Sequence, residues 1–168
     1  MRTHHLFIWD IKNISKIPLD NLFYDIGGDV QKDFRDLNVR ITDENNKNLE
    51  IVSLDSNKEH EKKFHVKLDQ PIKKSHTKRI FKCEYDWEEP YRIFEYVFSA
   101  NCKKFRFFFT APKSLIIKHR MLEIDRELGA KKIADPAPLV SYTASKTKIS
   151  WEPKNQVFKK HQALEFQW

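Results

Sequence analysis

Apolar residues recur at every second position along most of this chain. That period restricts it to strands, because a helix repeats its buried face every three to four residues. Val39 and Ile41 alternate with Asn38, Arg40 and Thr42. Phe64, Val66 and Leu68 alternate with His65, Lys67 and Asp69. Phe81, Cys83, Tyr85 and Trp87 alternate with Lys82, Glu84 and Asp86. The same pattern runs through Phe94, Tyr96 and Phe98, through Phe105, Phe107 and Phe109, through Thr147, Ile149 and Trp151, and through Leu164, Phe166 and Trp168. Each run reads as a strand with one buried and one wet face.

Two early segments, 6–11 and 19–26, are apolar on both faces and read as strands with cover on each side. Polar turns separate the runs. Residues 43–48 form one, 55–61 a second, and Gln70-Pro71 closes the strand before it, since proline removes a ladder donor. Glu88-Glu89-Pro90 and Ala100-Asn101-Cys102 read as hairpin turns. Pairing across them gives a three-strand meander, with Tyr96 opposite both Cys83 and Phe107. That register puts Cys83 and Cys102 on the order of 20 Å apart, beyond disulfide reach. Two free thiols are therefore expected.

Residues 112–138 are ambiguous. Ile117, Met121, Ile124 and Leu128 follow helical spacing, with Ser114 and Gly129 as candidate caps, whereas Leu115-Ile116-Ile117 favours a strand. Residues 114–128 are therefore left open between strand and one short helix. The closing pair, 147–151 and 164–168, resembles the end of immunoglobulin-like modules, although the Cys…Trp…Cys spacing of true immunoglobulin domains is absent. The expected fold is all-β: an immunoglobulin-like β-sandwich of about nine or ten antiparallel strands, spanning residues 1–168 as a single domain.

Composition bounds the function. The 168 residues carry 31 Lys+Arg against 24 Asp+Glu, a net charge of +7, with 13% aromatic residues. A chain this rich in aromatics is not intrinsically disordered. No apolar run approaches the roughly 18–20 residues of a membrane helix. The N-terminal Met-Arg-Thr-His-His-Leu-Phe has no apolar signal core, and with only two cysteines it suggests a cytoplasmic setting. The basic excess lies after residue 60, dispersed in pairs such as Lys103-Lys104 and Lys159-Lys160.

Catalytic signatures are missing. Gly27-Gly28-Asp29 lacks the helix start that phosphate loops use and reads as a turn. His4 and His5 are adjacent, so on a strand they face opposite ways. Glu59, His60, Glu61 and His65 are of the right types for zinc but have no second ligand pair. His119 reads as a surface or partly buried residue. Glu84 and Asp86 are spaced like an acid/base pair, about 6.5–7 Å apart on one strand face, but that face reads as solvated. Asp10, Asp20, Asp25 and Asp29 lack calcium-loop spacing. No metal and no cofactor are expected.

The function expected is a non-catalytic intracellular binding or sensor module. It would recognise a protein or small ligand through loop ends or a sheet edge. Its candidate residues are Trp87, Glu89, Tyr91, Asn101 and Lys103, which flank the two predicted turns. The partner is expected to be another protein or further domains of a larger chain, and the strand at 164–168 offers an edge for self-pairing. The alternative is nucleic-acid binding through Lys73, Lys74, Lys78, Arg79, Lys104, Arg106 and Phe108, where an outward-facing aromatic sits among cations. A weak metal- or carboxylate-dependent hydrolase is the second alternative.

Overall fold

The computed structural model describes residues 2–74, 78–154 and 156–168. The chain is all-β, and its sheets are antiparallel and not closed into a barrel. Its strands are β1 (Arg2–Ile11), β2 (Leu19–Gly27), β3 (Arg40–Thr42), β4 (Glu50–Lys58), β5 (Glu61–Ile72), β6 (Arg79–Glu88), β7 (Ile93–Val97), β8 (Phe107–Pro112), β9 (Arg120–Asp125), β10 (Ala130–Ile133), β11 (Leu139–Tyr142), β12 (Lys146–Trp151) and β13 (Gln162–Gln167). Backbone contacts divide the chain into two compact units, Met1–Tyr91 and Arg92–Trp168. No proline- or glycine-rich linker marks that point in the sequence.

The first unit holds two three-stranded sheets, ordered β1-β6-β3 and β2-β5-β4. Their inward side chains form one core. Phe81, Cys83, Tyr85 and Trp87 of β6 are buried with Phe64, Val66 and Leu68 of β5. Trp9 of β1 meets Tyr24 of β2 edge to face at 5.3 Å. A 3-10 turn, Phe34–Leu37, is capped by Asp33, whose side chain accepts from the Arg35 amide. The polar stretch 43–48 is the expected turn between strands. Asp43 Oδ1 accepts from the amides of Asn45 and Lys47, an Asx-type closure.

The second unit holds a four-stranded sheet, β10-β9-β13-β7, and a three-stranded sheet, β11-β12-β8. Its core contains Phe98, Met121, Ile149, Trp151, Phe158, Leu164, Phe166 and Trp168. Phe109 of β8 packs on Phe166 and Trp168 of β13, each at 5.1 Å. The Trp151 indole Nε1 donates to the Pro136 carbonyl at 2.6 Å, which pins the proline-rich connector.

Several expectations need correction. Thirteen strands stand among the described residues where nine or ten were expected, residues 55–58 belong to β4 and not to a turn, and β5 runs through Pro71 to Ile72. β13 lies between β9 and β7, so 164–168 offers no sheet edge for self-pairing. Segments 6–11 and 19–26 are not covered on both faces: β1 and β2 lie at sheet edges, and Leu6, Ile8 and Phe23 are exposed. The expected meander does not form. β6 lies between β1 and β3, β7 pairs with β13, and β8 pairs with β12. The stretch around Ala100-Asn101-Cys102 is a crossover, not a hairpin turn, with Cys102 bridged to Phe158. Residues 114–128, open between strand and helix in the sequence, contain strand β9 and no helix. Both faces of β9 carry buried side chains, so its spacing satisfies a helical and a strand template at once. Both cysteines are free: Cys83 is buried in the first unit and Cys102 is half-buried in the second.

Candidate binding surface

The residues expected to form an exposed rim do not form one. Trp87 is 0% exposed. Its ring lies against Gly28, and its Nε1 donates to the Val30 carbonyl at 2.6 Å. The Lys62 ammonium, itself fully buried, sits 5.6 Å from the centre of that ring and donates to the Lys58 carbonyl. Glu89 is also buried, with Oε1 3.3 Å from His5 Nε2, and the His5 ring stacks on Tyr85 at 4.7 Å. Tyr91 is exposed, while its amide donates to Asp29. Asn101 and Lys103 belong to the second unit, and Asn101 Oδ1 accepts from the Lys160 amide. The alternation already placed Trp87 on the buried face of its strand, and the neighbouring turn does not release it.

Two of the four cations of 73–79, Lys78 and Arg79, are committed. Arg79 binds Glu44 at 2.8 Å and Asp69 at 3.1 Å while lying over the Phe81 ring. Lys78 pairs with Asp10 at 2.6 Å. Lys73 and Lys74 are exposed, in the first unit. Lys104, Arg106 and Phe108 lie in the second, so the expected basic face is split between the two units.

The carboxylate and histidine groups are likewise dispersed. His4 points away from His5 and faces Asp86 at 3.0 Å. The hydrogen bond from Arg2 holds the Asp86 carboxylate down at about 2, helped by those from His4 and Asn38. An acid held that low keeps no proton to donate near neutral pH. His65 pairs with Asp55, Glu61 with Lys63, and His60 with the Gly28 carbonyl. Among the described residues no three His, Cys, Asp or Glu side chains gather as a metal cluster. Burial pushes the Cys83 thiol up to about 12, far from a reactive thiolate. A shallow polar depression is lined by Gln31, Lys32, Asp33, Asp36, Asn57 and Glu59. Asp33 is already held there by Arg35 and Asn57.

The outer face of β11-β12-β8 is different. Strand alternation sends Phe109, Ile149 and Val140 inward, and the register places them on one rung. It therefore sends Phe108, Ser150 and Leu139 outward on the next rung. Phe108 is 70% exposed and Leu139 75%. Beyond that rung stands Lys148, flanked by Thr110 and Ser141, and then Lys146 opposite Pro112. On the other side Arg106 Nε binds Glu152 Oε1 at 2.8 Å. Neither Lys146 nor Lys148 has a carboxylate partner among the described residues. The sequence marked Phe108 and Arg106 on this face. Leu139, Lys146 and Lys148 were missed, because their adjacency depends on strand pairing across more than thirty residues.

No protein-family model, no curated protein and no solved structure matches this chain.

Proposed function

We propose that the protein is a non-catalytic binding module of immunoglobulin-like β-sandwich character, and that its contact surface is the outer face of β8, β12 and β11. One observation carries the reading: a large aromatic and a large aliphatic side chain, Phe108 and Leu139, stand exposed on one rung of a regular sheet with only Ser150 between them. A single exposed apolar residue needs no explanation, whereas apolar residues grouped on a flat face mark a contact site. The dispersed carboxylates and the inert Cys83 thiol favour binding over catalysis. The free thiols Cys83 and Cys102 favour a reducing, cytoplasmic setting.

The test uses the anionic apolar dye 1-anilinonaphthalene-8-sulfonate. The folded protein is expected to enhance its fluorescence, and the double variant Phe108→Ser/Leu139→Ser to remove most of that enhancement. The variant's stability should change by no more than about 0.5 kcal/mol, as for surface sites. An enhancement that survives the double change, or a substantial fall in melting temperature, overturns the assignment.

A further inference from the structure

The occupant of this face is written in its charge. The first unit carries 16 Lys+Arg against 17 Asp+Glu, and the second 15 against 7. The whole basic excess therefore belongs to the unit that presents Phe108. Some of those cations are committed locally: Lys131 binds Glu165, Lys132 binds Glu123, and Arg126 binds Glu95. Lys146 and Lys148 have no carboxylate partner among the described residues, and they follow one another on the outer side of β12, immediately beside the Phe108–Ser150–Leu139 rung. The carboxylate on this face, Glu152, is already neutralised by Arg106.

Resting on the binding face assigned above, we propose that this face takes a single-stranded nucleic acid. The Phe108 ring supplies a stacking surface for a base, and Leu139 extends the apolar floor by two strand spacings, about 9–10 Å. Lys148 lies on the diagonal from Phe108, roughly 7–8 Å away, where it meets the phosphate that follows a stacked base. Ser150 on the apolar rung and Thr110 and Ser141 on either side of Lys148 add short hydroxyl groups to the face. A duplex is disfavoured, because its bases are stacked inside and present no open ring face to a flat sheet. The combination of a cationic track with an exposed ring tolerates sequence, so the recognition is of strand chemistry more than of base identity.

The experiment is fluorescence anisotropy of the full chain with a labelled twenty-nucleotide oligothymidylate, from about 25 to about 200 mM salt. Binding is expected, weakening steeply with salt. Phe108→Ala should weaken it roughly tenfold while leaving the salt dependence unchanged. Lys146→Glu/Lys148→Glu should weaken it and reduce the log–log salt slope by about 1.4, the share of two phosphate contacts. Melting curves confirm that the variants are folded. No binding at the lowest salt, binding that both variants leave intact, or equal affinity for a duplex of the same length overturns the proposal. Should the oligonucleotide fail while the dye response still depends on Phe108 and Leu139, the nucleic-acid assignment falls, the face stands, and a protein partner takes its place. Should the dye response also ignore that pair, both fall.

Discussion

Gly28 and Trp87 show what a single position can demand. A Cβ on Gly28 would come within 2.4 Å of the Trp87 ring carbons, so the glycine serves as the floor on which the indole lies. With Lys62 above and the Val30 carbonyl at its Nε1, the ring is enclosed by groups that match its chemistry. Trp87→Ala is therefore expected to cost about 3–5 kcal/mol in urea unfolding, as for other large buried aromatics. Tyr91→Ala, an exposed side chain four residues on, should change stability by less than about 0.5 kcal/mol. Equal losses from the two would show that Trp87 does not sit in the core. At this scale burial was legible: period-2 alternation put Phe81, Cys83, Tyr85 and Trp87 on one inward face, and all four are buried. What the alternation does not carry is the fate of residues beside a turn, where Glu89 is drawn in by His5 from a strand more than eighty residues earlier.

Most of the longer strands were legible as elements and not as pairs. Alternation states which face a side chain takes, and the same pattern is satisfied by any antiparallel neighbour in phase. Phe94, Tyr96 and Phe98 therefore fitted a hairpin with Phe105, Phe107 and Phe109, whereas β7 pairs with β13 and β8 with β12. Contacts distant in sequence accompany the observed pairing, among them the stacking of Phe98 on Phe158 at 4.5 Å. Asp86 shows how side chains then secure a sheet. From β6 it binds Arg2 and His4 of β1 on one side and Asn38, just before β3, on the other. Its folded pKa of about 2 lies below the ordinary aspartate value of about 3.9. The stabilisation it gives is thus complete above about pH 4 and is lost as pH falls toward 2. Urea midpoints measured across that window should fall more steeply for the wild-type chain than for Asp86→Asn. Parallel declines would show that Asp86 does not clamp the three strands.

For the whole molecule, the informative quantity is the partition of charge. The dispersed Lys and Arg pairs look like an ordinary solvated surface when read along the chain. Assigned to the two units, they leave the first nearly neutral and the second strongly basic. The sequence already places the excess after residue 60; the boundary at Tyr91, which neither proline nor glycine enrichment announces, assigns it to one unit. The candidate face was legible in part for the same reason: Phe108 and Arg106 are neighbours in sequence, whereas Leu139, Lys146 and Lys148 join them through the β11-β12-β8 ladder. The most direct test of the account is a titration of isotope-labelled protein with the oligothymidylate, followed by backbone amide shifts. The account predicts that the largest changes fall on β8, β12 and β11, around Phe108, Ser150, Lys148 and Leu139. Changes concentrated in the first unit, or spread evenly over both, would contradict it.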